Sequence, residues 1–151
     1  MNKPRAVLTT SAVFLSAALV VSYFQFQQPT IKATEVLTWD CGSAVYKPES
    51  ITLACADGGV LLQGLDWKEW GSEGAIGTGI YLENNCKPNC ASGKFIETPV
   101  TISLTNLIEF NSKIHLKDLA ITAISGENFP SGNTLIKWDL SEYPETMGVG
   151  G

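Results

Sequence analysis

Asp66 and Glu69 flank Trp67 in the run Leu65-Asp66-Trp67-Lys68-Glu69-Trp70-Gly71. Two carboxylates facing each other across a cleft are what glycoside hydrolysis requires, one as acid and the other as base or nucleophile. The same pair could bind a cation, and exposed tryptophans beside it could stack on a sugar ring or anchor a protein partner. Trp67 and Trp70 are three residues apart and point to opposite faces of a regular strand, so only a turn or bulge between them brings both rings to one surface. Core packing, with Gly77 and Gly79 as neighbours, is the simpler role for the rings, and paired acids are common in an acidic chain. Asp66, Trp67, Glu69 and Trp70 therefore stand as candidate ligand-binding residues, with no residue assigned a catalytic role.

His115 is the one histidine of the chain. Lying between Ile114 and Leu116, it is expected to face away from both, towards solvent. No nucleophile signature accompanies it, since Gly-x-Ser-x-Gly is absent. One histidine cannot make a histidine-rich metal site, and no calcium-loop pattern is present. No cofactor is implied.

The four cysteines, Cys41, Cys55, Cys86 and Cys90, permit three pairings. Spacing favours Cys41–Cys55, which could join neighbouring strands across a hairpin, and Cys86–Cys90, which could close a tight turn at Cys86-Lys87-Pro88-Asn89-Cys90. The two pairings that tie this turn to the Cys41/Cys55 region stay open. A four-cysteine zinc site is the competing chemistry. Cys86/Cys90 has the short spacing of a zinc knuckle, whereas Cys41/Cys55 is far too wide for one. A redox pair would need the absent Cys-x-x-Cys spacing.

Disulfides belong to an oxidising compartment, and the start of the chain points there. Lys3 and Arg5 precede a stretch from Ala6 to Ile31 without a charged residue. The positive-inside rule then leaves the remainder outside the membrane. Two fates are open for residues 1–28: removal as a signal peptide, or retention as a signal-anchor helix, for which the apolar run is long enough. Residues 29–35 read as a linker, 36–143 as one domain and 144–151 as a flexible tail. The portion after the leader holds eight lysines, no arginine and fifteen acids, a net charge of −7. Such a surface is a poor match for phosphate backbones, which excludes nucleic acid as a partner. Membrane contact is expected only through the leader if it is uncleaved.

The elements that would position these residues are short and β-like. Ile51–Cys55 and Val60–Leu65 alternate on either side of the turn signal Asp57-Gly58-Gly59. Ile76–Leu82 places Ile76, Thr78, Ile80 and Leu82 on one face and the two glycines on the other. Val100–Leu104 alternates apolar and hydroxyl residues. Further strands are expected around Ile114/Leu116, over Leu119–Ala123 and over Leu135–Leu140, with a polar loop at 126–133. Nothing in the domain has sustained helical periodicity. Seven or eight short strands predict an all-β fold, an antiparallel β-sandwich of immunoglobulin-like size, with a small barrel as the second choice.

Taken together, Cys55-Ala56-Asp57-Gly58, Leu65-x-Trp67-x-x-Trp70-Gly71, Ala75, Gly79, Asn85-Cys86-x-Pro88-x-Cys90-Ala91-x-Gly93-x-Phe95 and Pro99-Val100 resemble a family of small secreted actinobacterial proteins without an assigned activity. The resemblance spans Pro48 to Leu104 and implies export, a β-rich domain and no known reaction. The longer acidic C-terminal portion departs from the family pattern. The expectation is an exported or membrane-anchored β-domain that binds a protein or glycan without catalysis; the alternative is a small extracellular hydrolase using paired carboxylates.

Overall fold

The computed structural model of the protein describes residues 31–142. The expected leader at 1–28, the start of the linker and the tail at 144–151 lie outside the described residues. Among the described residues no helix is long and apolar enough to cross a membrane. A short 3-10 turn at Ala33–Glu35 leads into β1 (Val36–Asp40), β2 (Ser43–Val45) and β3 (Ser50–Thr52). Four long strands follow: β4 (Val60–Gly71), β5 (Gly74–Asn84), β6 (Phe95–Phe110) and β7 (Lys113–Ala123). β8 (Leu135–Asp139) and a second 3-10 turn at Leu140–Glu142 complete the described chain.

All eight strands belong to one hydrogen-bonded sheet of order β2-β1-β7-β6-β5-β4-β3, with β8 also paired to β7. The sheet is mixed: β1 runs parallel to β7, and the remaining pairs are antiparallel. The expected two-layer, wholly antiparallel sandwich is replaced by a single sheet that curls. β1 covers the start of β7 at Ile114 and His115, and β8 covers its second half from Asp118 to Thr122. Both lie on the side of β7 away from β6, which is why one strand can have three partners.

Curling hides the apolar face of the sheet without a second layer. In β6, Val100, Ile102 and Leu104 are buried while Thr101 and Thr105 are exposed, as the alternation predicts. β7 contributes Leu119 and Ile121 to the same core. In β5 the small residues face inward. A Cβ at Gly79 would fall 2.6 Å from Leu65 Cδ2, and one at Gly77 would fall 3.1 Å from Trp67 Cε3. Glycine opposite bulky side chains is therefore a packing requirement. Ile76, on the other face, is 46% exposed.

The two distant parts of the sheet are fastened across the opening. Asp40 Oδ1 at the end of β1 accepts the backbone N–H of Thr52 in β3 at 2.8 Å. Beside it, Cys41 is bonded to Cys55, with Cα atoms 5.5 Å apart. Trp70 Nε1 in β4 donates to the Val36 carbonyl at 2.9 Å. The 41–55 pairing matches the favoured one but does not span a hairpin. It joins the turn after β1 to the loop after β3, elements at opposite ends of the strand order.

His115 departs from its expected exposure. It is 1% exposed and stacked on Trp39, ring centroids 4.1 Å apart and 11° from parallel, with Phe110 edge-on to both rings. The parallel pairing of β1 over β7 covers what would otherwise be an open edge, and alternation along one strand could not reveal that cover.

The bridges differ in the loop each closes. Cys41 and Cys55 are 14 positions apart, Cys86 and Cys90 only 4. By chain entropy, serine at both positions should cost about 3 kcal/mol for the first pair and about 2 kcal/mol for the second. Denaturant unfolding of the two double variants should show the 41–55 variant as the less stable. The reverse order would contradict its role in closing the sheet.

Candidate functional site

β4 is bulged twice against β5, between Gln63 and Asp66 and again between Trp67 and Glu69. The second bulge inserts Lys68 without a partner and resets the alternation. Trp67 and Trp70 consequently reach one surface, and that surface is the core. Their rings meet edge to face at 4.8 Å. Trp70 is 9% exposed, and Trp67 packs against the buried cluster. Trp67 Nε1 donates to the Pro48 carbonyl at 2.8 Å. Both indoles are thus held by packing and by a hydrogen bond.

Asp66 and Glu69 lie on the outer face, opposite Thr78 and Ile76 of β5. Both are exposed, and Asp66 forms an ion pair with Lys68. No hydrogen bond joins the two carboxylates, and both stand on the open face of the sheet. Among the described residues no group of three or more histidine, cysteine or acidic side chains is placed to hold a metal ion.

A polar cluster that the sequence reading missed occupies the junction of β6, β7 and β8. The register sets Asp118 directly opposite Asp139. Lys117 Nζ bridges them, 3.0 Å from Asp118 Oδ1 and 2.5 Å from Asp139 Oδ2. Asn106 Nδ2 donates to Asp118 Oδ2 at 3.0 Å, and Ser141 donates to Asp139 Oδ1 through N–H and hydroxyl at 2.9 and 2.6 Å. The Lys117 and Ser141 hydrogen bonds hold the Asp139 carboxyl below its ordinary range, and the bonds to Asp139 and Asp118 raise the Lys117 ammonium. A cleft of about 340 Å³ opens here, bordered by Thr105, Ala120, Lys137 and Trp138. Asp139 is an anion committed to its neighbours, which makes it a poor proton donor. The cluster ties three strands together.

The connection from β5 to β6 is built differently. Residues 86–92 are all exposed, so the loop adds little to the core. It is nevertheless fixed in detail. Cys86 is bonded to Cys90. Asn84 Oδ1 accepts the Cys86 N–H at 2.9 Å while its Nδ2 donates to the Cys90 carbonyl at 3.0 Å. Asn85 Oδ1 accepts two backbone N–H groups, from Lys87 and from Lys94, each at 3.1 Å. Asn89 Oδ1 accepts the Ser92 N–H at 3.0 Å. Gly93 passes so close to Asn84 that a Cβ would fall 2.0 Å from Oδ1. Such order without burial is preorganisation: the conformational entropy is already lost before any partner arrives.

The loop belongs to one end of the domain. Ala54–Gly59 lies beside it, with the Gly59 carbonyl accepting the Asn84 N–H at 2.8 Å. The loop after β7 folds back nearby and inserts Phe129, 2% exposed, edge-on to Tyr81 at 5.0 Å. Tyr81 hydroxyl donates to Glu83 at 3.0 Å, and burial together with that carboxylate raises its pKa. At the other end, Ile31 and Ala33 lie against Trp70–Gly74, near the point where the chain enters β1. No protein-family model matches the chain, and the comparisons with curated proteins and with solved structures found no match.

The Lys117 cluster predicts a pH dependence. A carboxyl held low in the folded state stabilises it fully above about pH 4, and the contribution fades as pH falls through the folded value. Asp139→Asn should therefore melt below the parent protein at pH 7, with the gap narrowing towards pH 2. A gap that stays constant over this range, followed by thermal melts, would contradict the ion-pair account.

Proposed function

We propose that this protein is an exported, non-catalytic module that binds another protein at the cell envelope through the loops at the end of the domain remote from Ile31. Export is supported by the basic, then apolar start of the chain, and the two disulfides accord with a location outside the reducing cytosol. The observation that carries the binding reading is the Asn84–Lys94 loop, held rigid by a disulfide and asparagine side chains while contributing little to the core. Binding residues characteristically sit on loops positioned by a rigid scaffold. Fixing a loop in advance removes part of the ordering cost of association.

A protein partner is favoured over a glycan by the placement of the aromatics. Trp39, Trp67 and Trp70 face the core, and Trp138, at the border of the Lys117 cleft, is half-buried against it, so none of the four stands on the loop end as a stacking platform for a sugar ring. The large apolar side chains left exposed at the loop end, Phe95, Ile96 and Ile124, suit a protein contact.

A photo-crosslinking amino acid at Ala91 or Glu127, in cells exporting the full chain, should give a discrete adduct that protease digestion of its added mass removes. The same probe at Glu73, beside Ile31, or at Ser112, in the turn between β6 and β7, should give none. Equal labelling from both ends, no adduct at all, or an adduct removed by glycan hydrolases and not by proteases would each overturn the reading.

A further inference from the structure

The charge of the domain is not spread evenly. Between Glu83 and Glu97 the chain runs thirteen residues without an acid, the longest such stretch after Glu35, and it carries Lys87 and Lys94. These lysines are seven positions apart but are brought together by one atom. Asn85 Oδ1 accepts both of their backbone N–H groups, and the Asn85 N–H donates to the Lys94 carbonyl at 3.0 Å. Among the described residues neither lysine forms an ion pair, as is also true of Lys32, Lys47, Lys113 and Lys137, whereas Lys68 and Lys117 are matched to carboxylates. Immediately after Lys94 come Phe95 and Ile96, 45% and 41% exposed.

We infer that the stapled loop recognises an acidic, apolar segment of the partner protein, with Lys87 and Lys94 taking carboxylates and Phe95 or Ile96 taking an apolar side chain. This rests on the protein-binding reading above and names the chemistry of the partner. Two points carry it. The ammonium groups project from a backbone already fixed, so pairing them with carboxylates costs only side-chain ordering. The domain is acidic overall, so an acid-free stretch bearing two lysines is complementary to an acidic segment, which favours docking there. A polyanion such as a phosphate-rich polymer would use the two lysines alike, but it would leave Phe95 and Ile96 without a counterpart. Their adjacency therefore favours a polypeptide.

The test uses the full exported chain with the crosslinker at Ala91. Both lysines and Phe95 are exposed, so Lys87→Glu/Lys94→Glu and Phe95→Ser should leave the thermal melt unchanged. The double reversal should reduce the adduct at least about tenfold, as loss of interfacial charge pairs does. Phe95→Ser should reduce it as well. Sequencing of the crosslinked peptide should find a segment rich in Asp and Glu with apolar residues among them. An adduct that forms but is indifferent to the charge reversal, or that maps to a basic or uncharged segment, would overturn this inference and leave the protein-binding reading standing. Loss on charge reversal with no effect of Phe95→Ser would identify a polyanion contact and overturn it as well. No adduct in the parent chain would remove both.

Discussion

The inner face of one sheet has to be covered by that same sheet, and this domain does so by bringing β1 against β3. Eight strands in a continuous ladder expose an apolar face unless the sheet curls far enough for its distant parts to meet. The meeting point is small and chemically definite: the Asp40 carboxylate on the Thr52 amide, the Cys41–Cys55 bridge beside it, and the Trp70 indole on the Val36 carbonyl. Each contact joins elements far apart in the strand order. A domain this small gains a modest core, so cross-links matter to it, and the 41–55 bridge, which closes the longer loop, contributes the more of the two.

Closure also decides which residues are available for recognition. The curl draws Trp39, Trp67 and Trp70 inward and leaves outward such residues of β5 and β6 as Ile76, Phe95 and Thr101. The polar atoms of the Lys117 cluster are matched to one another, which spends their capacity on holding β6, β7 and β8 together. The loop between β5 and β6 is held by its own hydrogen bonds and disulfide and yet lies exposed. The second disulfide thus has a different part to play from the first: it shapes a surface, whereas the 41–55 bridge closes a core.

Much of the local structure was legible in the residues. The alternation of Val100–Leu104 gave the correct buried face, and the turn at Asp57-Gly58-Gly59 joins the strands expected on either side of it. The favoured cysteine pairs are the observed ones, and the suspected packing of a tryptophan on Gly77 occurs. What alternation could not supply was anything set by a third strand. His115 was expected outside because one strand has two faces, but β1 lies over its edge of the sheet. The strands expected around Ile114 and over Leu119–Ala123 are one strand, and β6 likewise continues through Asn106 in a left-handed conformation, so the sheet bends where the pattern suggested breaks. The two-layer expectation failed for the same reason, since curvature is a property of the whole ladder. Asp118 and Asp139 lie 21 positions apart in sequence, and only the β7–β8 register brings them together.

The account depends most on the cysteines being oxidised in the observed connectivity. Non-reducing proteolysis and mass spectrometry of the protein recovered from its native host would test this most directly. Peptides linked through Cys41–Cys55 and through Cys86–Cys90 are the predicted result. Linkage of either Cys41 or Cys55 to the 86–90 turn, or four free thiols, would contradict the closure of the sheet and the preformed loop together.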